Sequence, residues 1–270
     1  MLEYVTAVRF DRRLGSGKTW PCLLSCAPND ADGDEQEQEV VAKFSHGCER
    51  QVGGLVAEAI AAMLAADLNL TVPKPLLVQF DAEFVELIRL GDPDLAQRAA
   101  HSVPIAFGSS KLPPGFVALP RDKSVPYDLR AQAAEILAFD ALIQNPDRRP
   151  VNPNCLLDGR SFAIFDHEFA FVTHGIIGWR PPWLPNALDG MMKGAGGHVF
   201  FAGVRGTAPD LDRLRGAWRA ISDGRLREYR QALPPAWHDD GGVADDALAY
   251  VAQVRDNIDS AVVEVLRVLS

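Results

Sequence analysis

The chain reads as an α+β protein of two lobes, mostly strand around one helix first and mainly helical after. Three observations predict this. Short apolar runs of strand length cluster in the first 110 residues around one Ala- and Leu-rich helix. The stretch 108–127, GSSKLPPGFVALPRDKSVPY, is rich in Gly, Pro and Ser and reads as a connector. Helical patterns dominate from 129 onward, most clearly past 210. The boundary is placed at 110, with lobes 1–110 and 111–270. A chain of 270 residues fits one large domain or two packed lobes, and 47% hydrophobic content is enough to bury a core.

Each element has its own signal. Residues 22–26 and 40–44 are apolar strand candidates. The acidic stretch 29–39, NDADGDEQEQE, lies between them and reads as a solvated hairpin loop. Residues 53–70, GGLVAEAIAAMLAADLNL, form a helix, which VPKP stops because proline cannot continue it. A short strand at 76–80 follows, then a partly helical stretch at 83–100 broken near 91–93, then a strand at 103–107. A strong helix at 129–144 ends at Asn145-Pro146. Past 210 three helical segments are expected: 210–221, 224–233 and 243–269.

Composition excludes several classes. A formal net charge of −9 argues against a nucleic-acid protein, which usually carries a basic face. Cys22 and Cys26 have three residues between them and no second close pair follows, so Cys22, Cys26, Cys48 and Cys155 read as separate buried thiols. No disulfide framework is implied, which fits a reducing compartment. The first 15 residues, MLEYVTAVRFDRRLG, hold no long apolar stretch and are no secretory signal. No run approaches a membrane span. The expectation is a soluble, cytoplasmic protein with no membrane partner.

The informative segment is 145–171, NPDRRPVNPNCLLDGRSFAIFDHEFAF. Asp158-Gly159 is a two-residue hairpin signal between apolar runs at 155–157 and 162–165. Asn152 lies six residues before Asp158 and Asp166 seven after Gly159, so both leave the same open end of the hairpin. Paired strands are about 5 Å apart, so both side chains can reach one cation. One amide oxygen and one carboxylate suit Mg2+, which takes few protein oxygens beside substrate phosphates. Asp147, five residues before Asn152, is placed to accept the proton of an attacking hydroxyl. Asn154 alternates to the same face as Asn152 and stays a second candidate.

This segment resembles the catalytic region of HipA-like kinases and, more distantly, of protein and phosphatidylinositol kinases. The resemblance implies a bilobal protein kinase-like fold that binds Mg-ATP between its lobes. It makes Asp147 the catalytic aspartate, Asn152 the metal-binding asparagine and Asp166 the metal-binding aspartate, with His167-Glu168 in place of Phe-Gly. Relatives commonly carry His two residues after the catalytic aspartate; here that residue is Arg149. The first lobe carries matching features in the same order. Lys43, in the apolar run VVAKF, is similar to the kinase strand lysine that contacts the α- and β-phosphates. Glu58 follows 15 residues later, flanked on its helix face by Leu55, Ala61 and Ala62, and is the expected partner of Lys43.

The loop LGSGKTWP at 14–21 resembles a kinase glycine-rich loop. Gly15 and Gly17 let backbone approach phosphate, Lys18 adds charge, and Ser16 is the nearest hydroxyl for self-modification. A P-loop is excluded, because its first glycine position is Arg12 and Pro21 interrupts the helix such a loop must open. Within 172–206, Trp179 and Trp183 read as packing anchors. His167, His174 and His198 lack zinc spacing. The resemblance implies a Ser or Thr hydroxyl on a protein as acceptor. A nucleotide-binding pseudokinase and a small-molecule or lipid kinase share the fold, and fold alone does not separate them.

Overall fold

The first five strands close on themselves. In the computed structural model, which describes residues 2–15, 19–29, 37–120, 124–192 and 197–270, they are β1 (Glu3–Arg13), β2 (Cys22–Pro28), β3 (Gln38–Lys43), β4 (Pro75–Gln79) and β5 (Ile105–Ser110). They form a closed barrel in the order β1-β2-β3-β5-β4. β1 runs parallel to β4, and the other pairs are antiparallel. Closure gives each of the five strands a neighbour on both sides. Inward residues such as Val5, Leu24, Val40, Leu76 and Val78 fill the barrel. Strands approach so closely at Gly108 that a Cβ there would lie 2.6 Å from Val78 Cγ2.

The structure adds two strands that the sequence reading omitted, β1 in the barrel and a short one at Val117–Ala118 inside the predicted connector. β1 presents only Val5 and Ala7 as buried residues, and its register shifts after Ala7 and after Phe10. Those bulges break the regular alternation that marks a strand in sequence.

Three helices accompany the barrel: α1 (Val52–Asp67), α2 (Ala82–Gly91) and α3 (Pro93–Ala100). The predicted break near 91–93 falls at Asp92, whose side chain caps α3 by accepting from Leu95 N. Asp81 caps α2 in the same way through Phe84 N. The thiols of Cys22 and Cys26 are pushed up by burial, Cys26 to about 12, so both remain protonated and apolar in behaviour.

Contacts divide the chain into two compact units. The first comprises Met1–Ala62, Pro73–Leu112 and Glu228–Ala244; the second comprises Met63–Val72, Pro113–Arg227 and Asp245–Ser270. The second is built on α4 (Arg130–Leu142), in which every residue from Ile136 to Leu142 is buried. A three-stranded sheet accompanies it: β6 (Val117–Ala118), β7 (Cys155–Leu157) and β8 (Phe162–Ile164), in that order. Short helices α5 (Asp189–Met192) and α6 (Phe201–Val204) precede α7 (Asp212–Ala220), α8 (Asp223–Ala232), α9 (Val243–Asp256) and α10 (Ile258–Leu269). The single helix expected over 243–269 is two, because Asn257 leaves the helical conformation (φ −114, ψ 18). Among the described residues no helix is long and apolar enough to cross a membrane.

Candidate active site

In the first unit, Lys43 ends β3 and lies opposite Phe107 of β5. Its side chain is only 9% exposed, and Glu58 on α1 is 3% exposed. Lys43 Nζ donates to Glu58 Oε2 at 2.9 Å. Leu55, Ala61 and Ala62 around Glu58 are buried as well, so the carboxylate sits in an apolar wall. A buried carboxylate there requires a cation, and Lys43 is one.

The base of the 14–21 loop is pinned. Leu14 N donates to Pro21 O at 2.7 Å, and Gly15 takes a left-handed backbone with φ +65. The guanidiniums of Arg13 and Arg98 both lie over the Trp20 ring, 4.3 and 3.8 Å from its centroid. Gly47 backs onto this loop, since a Cβ there would lie 2.5 Å from Thr19 O. Ser16, Gly17 and Lys18 lie outside the described residues.

In the second unit, α4 ends at Leu142 and the chain turns back through Asn145. Asn145 N donates to Asp140 O at 2.8 Å, and Asn145 Oδ1 accepts from Asp147 N at 3.3 Å. Residues 149 and 152 then exchange backbone hydrogen bonds of 3.0 and 2.9 Å around Pro150-Val151, a tight turn. This turn returns Asn152 to Asp147. Asn152 Nδ2 donates to Asp147 Oδ2 at 2.7 Å, Asn154 Nδ2 donates to the same oxygen at 3.1 Å, and Arg149 Nη2 donates to Oδ1 at 2.7 Å. Each amide nitrogen is thereby committed to Asp147, which leaves the amide oxygen as the atom that can face a cation.

The hairpin that follows differs from the expected two-residue turn. Leu157 pairs with Phe162, so the connection spans four residues. Asp158 Oδ1 accepts from Arg160 N at 2.8 Å and from Ser161 N at 2.7 Å, while Gly159 takes φ +90. The side chain thus mimics a backbone turn and widens the loop. These hydrogen bonds hold the exposed Asp158 carboxyl below its ordinary pKa. β8 is an outer strand of its sheet, and Gln132 of α4 covers its edge by bonding both N and O of Phe162. Ile164 N donates to Thr71 O at 3.0 Å. One bond beyond the ladder, Phe165 N donates to Asn154 O at 3.2 Å. Asp166 follows with a left-handed backbone, φ +63, and is half-buried.

Behind these residues lies a buried charge cluster that the sequence reading missed. Arg148 and Asp140 are both wholly enclosed. Arg148 Nε donates to Asp140 Oδ2 at 2.6 Å and Nη2 to Oδ1 at 3.2 Å. His198 Nε2 donates to Asp140 Oδ2 at 2.9 Å, and Asn145 Nδ2 to Oδ1 at 2.8 Å. Burial works against the charge of Asp140, but Arg148 and His198 overcome it and hold its carboxyl well below the usual carboxylate range. Burial pushes His198 below its ordinary pKa, against the pull of Asp140. Phe200 N donates to His198 Nδ1 at 3.2 Å, which fixes the neutral tautomer with its proton on Nε2. The sequence signal was thin: three polar residues at 140, 148 and 198, none patterned with another.

The remaining candidates resolve simply. Trp179 Nε1 donates to Gln144 Oε1 at 3.0 Å, and the rings of Trp179 and Trp183 lie 6.2 and 6.3 Å from Tyr250, so both pack. His174 is exposed, 3.8 Å from Asp246. Among the described residues no group of three His, Cys, Asp or Glu side chains could hold a metal ion.

The fold is of the kinase class. The chain is similar to the Helicobacter pylori proinflammatory kinase CtkA, whose crystal structure matches with a TM-score of 0.51 at 12% identity, over 99% of each chain. A profile described as HipA-like kinase matches residues 32–175, more than half of the sequence. The chain belongs to the HipA-like kinase family, and family and fold support a kinase-type phosphotransferase. No curated protein matches it by sequence.

Proposed function

We propose that this chain is an ATP-dependent HipA-like serine/threonine protein kinase that transfers the γ-phosphate of Mg-ATP to a hydroxyl. The observation that carries the reading is the Asp147 carboxylate, gripped by Asn152, Asn154 and Arg149 where the hairpin ends and Asp166 begins. In this reading the fold is bilobal, with 1–110 as the nucleotide-binding lobe and 111–270 as the catalytic lobe.

Asp147 orients the acceptor hydroxyl and takes its proton as the oxygen attacks the γ-phosphorus. The new O–P bond forms, the bridging oxygen–γ-phosphorus bond breaks, and ADP leaves with the electron pair. The amide oxygen of Asn152 and the carboxylate of Asp166 suit Mg2+: two hard oxygens, with no histidine or thiolate cage among the described residues. Magnesium, when bound, supplies positive charge to the phosphate oxygens. Lys43 contacts the α- and β-phosphates, and Glu58 holds its ammonium in place. Gly15, Ser16, Gly17 and Lys18 form the glycine loop over the phosphates.

The test is transfer of labelled phosphate. With Mg2+ and labelled ATP the protein should phosphorylate an acceptor, or at least hydrolyse ATP. Asp147→Asn should lower the rate by roughly 10²–10⁴-fold, and Asp166→Asn should abolish the metal-dependent reaction. Activity equal to wild type in both variants sinks the assignment. A proteome incubated with labelled ATP and the enzyme identifies the acceptor.

A further inference from the structure

Arg148 and Arg149 are adjacent but differently placed. The Arg149 side chain is 45% exposed, whereas that of Arg148 is wholly enclosed. A buried guanidinium must have its donors satisfied or it destabilises the fold. Here all five N–H groups are used. Nε and one Nη2 hydrogen go to Asp140, and the second Nη2 hydrogen goes to His167 Nε2 at 3.0 Å. Nη1 donates to Asn154 O and to Phe165 O, the latter at 3.2 Å.

The targets of Nη1 are the informative feature. Asn154 and Phe165 stand on the two arms of the β7–β8 hairpin, one residue beyond the last ladder pair, Cys155 with Ile164. Asn152 lies two residues before the first, and Asp166 directly after the second. One NH2 group therefore spans the hairpin at the end where both proposed magnesium ligands emerge. Asp166 is held from both sides, through Phe165 O before it and the His167 ring after it. Its left-handed backbone is disfavoured for a residue with a Cβ, though less for Asp than for most. Two contacts from one rigid fork keep it there.

We propose that Arg148 is a positioning residue for the metal site: it fixes the separation of Asn152 and Asp166 and holds Asp166 in its left-handed conformation. Asp140 is its counter-charge and anchors the fork to α4. His198 supports Asp140 from the far side, and Val199 N fastens the loop itself by donating to Arg148 O at 2.9 Å. A lysine could keep the charge but not the spacing, because its single ammonium cannot reach Asp140 and both hairpin arms together.

The inference rests on the magnesium reading above, so its test reads metal binding directly. Mn2+ is titrated into the full-length protein saturated with a non-hydrolysable ATP analogue, and free Mn2+ is followed by electron paramagnetic resonance. Arg148→Lys should weaken Mn2+ binding at least about tenfold while metal-free analogue binding stays within about twofold of wild type. Because Arg148→Lys leaves Asp140 short of partners and threatens folding, the paired variant Asp140→Asn/Arg148→Met, which strands no charge, is measured beside it. It should show the same loss. Wild-type Mn2+ affinity in either folded variant overturns the inference and leaves the metal reading standing. No Mn2+ binding by the wild type overturns both.

Discussion

Lys43 and Glu58 are each more than nine-tenths withdrawn from water, at 2.9 Å from one another. The pair therefore ties stability to function at a single residue. Replacing Lys43 with Met removes the proposed phosphate contact and takes the ammonium away from the buried Glu58 carboxylate. Breaking a buried pair from one side costs about 3–5 kcal/mol, whereas replacing both partners with apolar groups is often neutral. Lys43→Met should lose stability of that order in urea unfolding. Lys43→Met/Glu58→Leu should recover to within about 1 kcal/mol of wild type. Nucleotide titration should find both variants weak. A stable single variant, or a double variant that binds nucleotide normally, contradicts the pairing of these roles.

The elements around the catalytic loop carry a pH signature. His198 joins the segment before α6 to Asp140 of α4, and burial keeps its folded pKa below 6.5. The unfolded chain takes up a proton near pH 6.5 that the folded chain refuses, so stability rises with pH through this region. His198 contributes fully above pH 6.5, and its contribution falls as pH drops toward its folded pKa. The limit is about 1.4 kcal/mol per pH unit for one proton. Asp140 acts in the same direction only at stronger acidity, since its folded pKa is depressed below the unfolded value. His198→Gln keeps a donor for Asp140 and cannot titrate. Its melting temperature should fall less than that of wild type between pH 7 and pH 5, and parallel curves would refute a neutral buried His198. This cluster also shows what sequence could not convey. The Asp147–Asn152 spacing and the β7–β8 hairpin are local, so the sequence displayed them, though not the four-residue length of the connection. Arg148, next to Asp147, looked like any surface arginine, because burial is decided by Asp140 and His198, eight and fifty residues away. β1 escaped for a related reason: its bulges hide the alternation, and its partners β2 and β4 complete it only in the barrel.

At the scale of the whole chain, the helical second half and the strand-rich first half were legible because hydrophobic period is a local property. Long returns were not. Trp237 Nε1, for example, donates to Ile105 O across 132 residues. Such contacts make each unit cooperative, and they also let a ligand bound at a few residues raise the melting temperature of the protein. A ligand at one hundred times its Kd adds about 2.7 kcal/mol. For a chain of this size each kcal/mol is worth roughly 2–4 °C. Saturating Mg-ATP analogue should therefore raise the melting temperature by roughly 5–10 °C. Lys43 belongs to the first unit and Asp166 to the second. Lys43→Met/Glu58→Leu should remove most of the rise with or without metal, because it lacks the phosphate contact. Asp166→Asn should remove only the part that depends on Mg2+. A rise equal in both variants and in wild type would mean that the nucleotide binds elsewhere. A normal rise in wild type without turnover on any acceptor would leave a nucleotide-binding module in place of a kinase.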